Sequence, residues 1–337
     1  MTYKETIEQN KLCCSPKWWP SYAFHYTDAS NAVSILSSGV LYSRMQAETR
    51  GVMRNDNASR QVIDMTDAGV KSCVRFYFRP LTPTQYHNEG YKHPKIRYNG
   101  DQCANVPIPV FLLFDLEQLL QLDLIEFSEV GQAGYGASPL FRGEEAFARL
   151  PFEKIYSDGP TDGTTRKYRH AELLYPNALL IGSMVKHILC RNACEKQTFL
   201  NILKEKDEKA FAEYRDIVRS CGEHAFQRNG LFVESVSALS QMVVFKFADT
   251  PGRKNYAQRY GNADLEPLQG RFKFDWMQNG VVIMSSERGA VIDYLRSERV
   301  EFRVPHVDDA DILKVTFWLE GDLLCLAELP LDDYELL

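Results

Sequence analysis

Several groups of residues in the chain have types and spacings that can do chemistry. His187, Cys190 and Cys194 are spaced loosely like metal ligands, but no second ligand pair lies nearby in the sequence, so no metal is expected. Cys194 opens a predicted helix, a position that lowers a thiol pKa, and its plainer reading is a buried structural cysteine. Gly131, Gly134 and Gly136 stand in the wrong order for a dinucleotide fingerprint and read as a turn. No Walker A loop, zinc-hydrolase histidine pair or nucleophile elbow is present. Three segments are dense in polar and aromatic groups. The first is Phe24-His25-Tyr26-Thr27-Asp28-Ala29-Ser30-Asn31, continuing to Leu36 and Gly39. The second is Val74-Arg75-Phe76-Tyr77-Phe78-Arg79-Pro80-Leu81-Thr82-Pro83, with Tyr86 beyond, and the third is Arg169-His170-Ala171-Glu172-Leu173-Leu174.

In this order and spacing the three segments resemble the DarT family of toxin ADP-ribosyltransferases, enzymes that cleave NAD and place ADP-ribose on a base of single-stranded DNA. The resemblance covers roughly residues 20–220 and leaves the C-terminal third unmatched. It implies Glu172 as the catalytic carboxylate and His25 as a contact to the adenosine ribose. Thr27 and Asn31 become partners of the nicotinamide amide or ribose, and Tyr77 and Phe78 line the nicotinamide pocket. Residues alternate across a strand, so only one of those two rings can face the pocket, and Tyr77 is favoured. The family also uses a catalytic arginine in the helix before the second segment to orient the NAD phosphates and nucleic acid. Arg44, Arg50, Arg54 and Arg60 compete for that role, and Arg60 matches best by its distance from the Phe76-Tyr77-Phe78 strand. Arg54, Arg75, Arg166, Lys167, Tyr168 and Arg169 are the implied nucleic-acid contacts. The chain departs from the pattern in having Arg75 where relatives have Pro, and Leu81-Thr82 where they have Arg-Ser. Its loop before Glu172 is rich in Gly and Thr. These departures leave the acceptor open between single-stranded DNA, the family default, and RNA, and leave open a base other than thymine.

The residue types suit that chemistry. Breaking the glycosidic bond to nicotinamide passes through an oxocarbenium-like transition state. A carboxylate facing the ribose can hold a hydroxyl, stabilise the growing positive charge and take a proton from the incoming nucleophile. A guanidinium binds phosphate through two parallel hydrogen bonds. The cations Arg166, Lys167 and Arg169 around the Tyr168 ring suit a single strand, by phosphate pairing and base stacking. Each residue also has a structural reading: an edge-strand glutamate, a core histidine, a helix cap, strand packing and a solvated basic turn.

These side chains need elements to position them. Ala23–Tyr26 reads as a strand, followed by a helix capped by Thr27 or Asp28 and stopped at Gly39. Residues 43–67 read as a loop with a helical piece around Ala58–Met65. Val74–Phe78 and Pro109–Phe114 are strands, with helices around Asp115–Gln121 and Arg142–Leu150. Ser128–Ser138 and Ser157–Thr165 are loops by composition. Glu172–Tyr175 and Val185–Cys190 are strands, and Ala193–Ser220 is the longest helical stretch. From about Val236 strands dominate: Gln241–Phe247, Arg271–Phe274, Val281–Met284, Val300–Val304, Leu313–Leu319 and Leu323–Leu326, with one helix at Gly289–Arg296. The expected fold is α/β (α+β). The resemblance implies an ADP-ribosyltransferase-like split β-sheet core with flanking helices over residues 1–235, and residues 236–337 form a small β-rich accessory module.

Composition bounds the partners. The 337 residues are 45% hydrophobic and 25% charged, as in a soluble globular protein, which excludes a disordered or fibrous chain. No apolar run is long enough to cross a membrane and no secretory signal is visible, so a cytoplasmic protein is expected. Eight cysteines are too few for a disulfide scaffold of this length. The net charge of −6 argues against nucleic acid only as a whole-chain figure. Residues 1–100 carry 13 Lys and Arg against 8 Asp and Glu, whereas Pro305–Leu337 holds nine acidic residues and the single cation Lys314. The basic front suits a single strand and the acidic end suits a protein partner. By analogy with the family that partner is an antitoxin, macrodomain-type or blocking the active site, or a chaperone, in a toxin–antitoxin or phage-defence system. Two other readings stay open: transfer of ADP-ribose to protein, and a non-catalytic nucleic-acid-binding protein that keeps the fold.

Overall fold

The computed structural model describes residues 1–331 except 56–59, 102–103, 134–137, 160–161, 240, 249 and 261–263, and gives the backbone alone for residues 60, 62, 223 and 250. Strands are labelled in chain order. A seven-stranded sheet holds the site, built from Tyr22–Asp28 (β1), Cys73–Tyr77 (β3), Pro109–Asp115 (β4), Glu126–Phe127 (β5), Glu172–Pro176 (β6), Val185–Cys190 (β8) and Val218–Ser220 (β9), in the order β5-β6-β3-β1-β4-β8-β9. Val40–Tyr42 (β2) and Ala178–Leu180 (β7) form a separate antiparallel ribbon. Pairing in the large sheet is antiparallel except between β8 and β9. The unbroken apolar run Val110–Phe114 is covered on both faces, which puts β4 inside the sheet.

Local chemistry sets the elements around the site. β1 ends at Asp28, whose carboxylate accepts from the Ser30 N–H at 2.8 Å and starts the helix Ala29–Ser38. Of the two expected caps, Asp28 is the one used. Ala29, Ala32, Val33 and Leu36 bury the inner face of that helix, and Gly39 ends it in the left-handed region at φ +67°. Phe24, Phe76, Phe78, Phe114, Phe127 and Phe147 belong to the core of this part of the molecule.

A second core lies between two further sheets. One is Val233–Leu239 (β10), Met242–Phe247 (β11) and Arg299–Arg303 (β14). The other is Leu268–Gln278 (β12), Val281–Ile292 (β13), Ile312–Leu319 (β15) and Asp322–Pro330 (β16), in the order β13-β12-β15-β16. Phe245 from the first sheet packs on Phe272 from the second, and Phe272 stacks on Phe317 at 4.3 Å. Tyr91, Ile96 and Cys194 also join this second core. The junction is polar and fully buried. Arg191 donates to Glu195 and to Glu89, Glu89 also accepts backbone N–H groups from Gln227 and Arg228, and Lys92 donates to Asn229 while lying 4.1 Å from the Tyr256 ring centre. Burial pushes the Glu195 carboxyl up to about 7, against the pull of Arg191.

Three expectations change. The stretch Ala193–Ser220 is not one helix: Ala193–Lys206 ends where Asp207 caps a second helix, Glu208–Tyr214, and Val218–Ser220 pairs with β8 instead. Residues 289–292, expected in a helix, belong to β13 because Gly270 and its neighbours on β12 pair with them. A helix at Thr250–Arg259 and the strand β10 were not anticipated. Among the described residues no helix is long and apolar enough to cross a membrane.

Candidate active site

The first and second motif segments meet on one wall of a cavity of about 580 Å³. His25, Thr27 and Asn31 from the end of β1 and the following helix line it together with Arg75 and Tyr77 from β3, and Arg54 closes another side. β1 and β3 are neighbours, with Phe24 opposite Tyr77, and β6 lies on the far side of β3 with Glu172 directly opposite Tyr77. Residues two apart on a strand share a face, so Tyr77, Arg75 and Glu172 present their side chains to the same side of the sheet.

The carboxylate of Glu172 is almost wholly covered, at 1% exposure. Arg75 donates to it twice, from Nε to Oε2 at 2.7 Å and from a terminal nitrogen to Oε1 at 2.6 Å, while its own guanidinium also reaches the cavity. The Gln132 N–H donates to Oε1 at 3.3 Å. Burial works to lower the Arg75 pKa, but the Glu172 carboxylate together with Tyr77 and Cys73 outweighs it and holds the guanidinium above its usual value. Burial and the Glu172 charge push the Tyr77 phenol up, opposed by Arg75 and by a hydrogen bond with Thr84.

Two histidines flank the pair. Burial lowers His25 to about 4, against a hydrogen bond of 3.1 Å between Nδ1 and the Arg75 carbonyl. A carbonyl can only accept, so the neutral ring carries its proton on Nδ1 and leaves Nε2 as an acceptor. His170 is likewise lowered to about 4 by burial, with Glu172 opposing and Arg75 and Arg166 adding to the shift. Gly131 fits against it closely: a Cβ there would lie 2.7 Å from His170 Cβ and 3.6 Å from Glu172 Oε1.

The other expected site residues separate by what they touch. Asn31 is committed to the backbone: its Nδ2 donates to the Asn55 carbonyl at 2.7 Å, and its Oδ1 accepts from the N–H groups of Arg54 and Asn55. It positions the 54–55 segment on the cavity wall. Phe78 does not face the cavity; it is fully buried against Phe147 and Phe152, as alternation along the strand requires once Tyr77 points in. Arg75, expected on nucleic acid, pairs with Glu172. Arg60 opens the helix Arg60–Met65, and its side chain lies outside the described residues. Arg166 and Lys167 are exposed, the Tyr168 ring lies between Lys154 and Lys167, and Arg169 donates to Ser157 Oγ at 3.2 Å. Asp162 caps the helical turn Gly163–Arg166 within what composition read as loop.

Sequence reasoning missed Gln132, Tyr42 and Asn55, and the burial of His170 beside the pair. His170 carried a signal, since it lies two residues before Glu172, whereas Gln132 reaches the site only through the fold. His187 packs on Tyr22, and Cys194 faces Cys325 at 3.6 Å between sulfurs; that hydrogen bond and burial raise the Cys194 thiol pKa, so the helix N-terminus does not activate it.

The profile of one family, described as DarT, ssDNA thymidine ADP-ribosyltransferase, matches residues 24–216. Among solved structures the chain is similar to Thermus sp. 2.9 DarT in complex with ADP-ribosylated ssDNA, at 20% identity and a TM-score of 0.49, covering 61% of this chain and 95% of that one. It is similar to the same organism's DarT in complex with NAD+, at 20% identity and a TM-score of 0.46, covering 61% and 96%. Thermosipho africanus DarTG in complex with ADP-ribose is similar at 16% identity and a TM-score of 0.45, covering 65% of this chain and 54% of that one. No curated protein matches the chain.

Proposed function

The chain belongs to the DarT family of ssDNA thymidine ADP-ribosyltransferases, and from that premise we propose that its cavity takes NAD as substrate and that Glu172 directs transfer of ADP-ribose to a base of single-stranded nucleic acid. The observation that carries this reading is the position of Glu172: an almost wholly buried carboxylate opposite Tyr77, joined through Arg75 to a cavity that His25 and Thr27 line. A volume of about 580 Å³ lies within the usual range for small-molecule sites, about 300–1,000 Å³.

In this reading His25 Nε2 accepts from a ribose hydroxyl, because Nδ1 is held by the Arg75 carbonyl. Tyr77 gives a ring face to the nicotinamide. Glu172 holds a hydroxyl of the reacting ribose and stabilises positive charge as the C1′–N bond to nicotinamide breaks; it then takes the proton that the acceptor base loses as the new bond to C1′ forms. Arg75 aims the carboxylate through its two hydrogen bonds. Arg166, Lys167 and Tyr168 meet the strand next to the site.

DNA is the acceptor the family description supports, and RNA is the alternative left by the unusual loop before Glu172. Such an enzyme damages its own cell's nucleic acid, so we assign it a neutralising antitoxin partner and a role in toxin–antitoxin or phage defence. Residues 1–235 form the transferase unit in this reading and 236–337 an accessory module. The test is mass spectrometry of nucleosides digested from DNA and from RNA after exposure to the protein with NAD. An ADP-ribosylated nucleoside from single-stranded DNA is expected; label found only on protein overturns the reading.

A further inference from the structure

Gln132 is 2% exposed, yet among the described residues neither Oε1 nor Nε2 of its side chain has a hydrogen-bond partner. A buried primary amide left wholly unmatched is unfavourable, and a leucine of similar size would fit such a place better. The same residue donates its backbone N–H to Glu172 Oε1 at 3.3 Å, and Gly131 beside it is packed against His170 and Glu172. The backbone that carries the unmatched amide is therefore fixed beside the carboxylate. Glu172 is as deeply covered as Gln132, at 1%. A substrate group that reaches Glu172 therefore comes within a side chain's length of Gln132.

We propose that Gln132 is a specificity-determining residue, whose amide pairs with a planar substrate edge carrying a donor beside an acceptor at the reacting centre. An amide presents one acceptor and two donors in a plane, and it pairs in bidentate fashion with an edge of complementary pattern. Two substrates of the reaction carry such an edge: the carboxamide of the nicotinamide that leaves, and the amide-like face of the acceptor base. The inference rests on the reading of Glu172 as the reacting carboxylate.

The test compares wild type with Gln132→Leu and Gln132→Asn by thermal unfolding, NAD binding by calorimetry, single-strand oligonucleotide binding by anisotropy, and the rates of NAD cleavage and of transfer. Gln132→Leu removes the unmatched groups, so its Tm is expected to equal or exceed that of wild type while substrate use weakens about 10- to 100-fold, the worth of a bidentate pair. Loss of NAD affinity and of NAD cleavage assigns the pairing to nicotinamide. Loss of oligonucleotide affinity and transfer, with NAD cleavage unchanged, assigns it to the base. Gln132→Asn keeps the amide one carbon short and is expected to be intermediate. Unchanged affinity for both ligands in Gln132→Leu overturns the proposal, whether or not transfer occurs. Absence of transfer in the wild type, with Gln132→Leu still losing ligand affinity, overturns the role of Glu172 instead.

Discussion

Arg75 grips Glu172 from the adjacent strand with both ends of its guanidinium fork, Nε on Oε2 and a terminal nitrogen on Oε1. The pair is diagonal across β3 and β6: Glu172 stands opposite Tyr77, and Arg75 lies two residues back on the same face. Removing Arg75 leaves a buried carboxylate with, among the described residues, the Gln132 N–H as the remaining partner of its side chain. Arg75→Ala is therefore expected to lower stability by about 2–4 kcal/mol, somewhat less than a fully buried pair because Arg75 is partly open to the cavity. Arg75→Lys should recover part of the loss, since an ammonium cannot form the fork. Denaturant unfolding of the three proteins reads both effects.

Glu172→Gln keeps a side chain of the same shape for Arg75 to touch, and removes the charge and the proton acceptor. Transfer to a single-stranded oligonucleotide is expected to fall by about 10²–10⁴-fold, with Tm moving far less than in Arg75→Ala. Full activity in this variant would take the chemistry away from Glu172.

Gly131→Ala puts a methyl group 2.7 Å from His170 Cβ, a separation that ordinary packing does not allow. The same methyl lies at an ordinary 3.6 Å from Glu172 Oε1, so the displacement falls on His170 and reaches the carboxylate along the chain, two residues on. Transfer is expected to fall about tenfold or more, in keeping with the sensitivity of rate to misplacement of about 1 Å. Steady-state rates beside a circular dichroism spectrum check that the fold persists.

His25 is held to about 4 in the fold by burial, while the unfolded chain titrates near its ordinary value of about 6.5. Between those values the unfolded state binds a proton that the native state refuses. The contribution of His25 is thus fully present above pH 6.5 and is lost as pH falls toward 4. Wild type should lose stability over this window faster than His25→Gln, by at most about 1.4 kcal/mol per pH unit. Unfolding midpoints of both proteins at pH 7, 6 and 5 give the comparison.

A chain cut after residue 235 strips cover from Tyr91, Ile96 and Cys194, which are buried in the second core although they precede the cut. The truncated protein is expected to aggregate or to unfold at a markedly lower Tm than the full chain. Size-exclusion chromatography and a thermal melt decide this, and a stable, active fragment would make the C-terminal residues dispensable.

Local features of the site were legible in the sequence. The strand–cap–helix run from Phe24 to Gly39 announces itself through Asp28 and the terminal glycine, and the β3 and β6 strands through their apolar patterns. What stayed hidden depends on partners far along the chain. Arg75 meets Glu172 across 97 residues, and Gln132 meets it across 40. A charge opposite a charge on a neighbouring strand cannot be inferred until strand order is known. The same limit explains residues 289–292, whose composition suits a helix until pairing with β12 extends them. It also explains Val218–Ser220, a charged stretch that follows a helix and is drawn into the sheet by β8.

The buried junction of Glu89, Arg191, Glu195 and Lys92 bears on how such a protein can evolve. Glu89 and Lys92 lie within residues 24–216, the region shared with relatives, yet their partners Gln227, Arg228 and Asn229 lie beyond it. A chimera joining this family core to another tail would keep the Glu89–Arg191 pair but leave Glu89 without the N–H groups of Gln227 and Arg228, and Lys92 without Asn229. A replacement tail would have to bring its chain past the same place with matching backbone donors and an acceptor for Lys92.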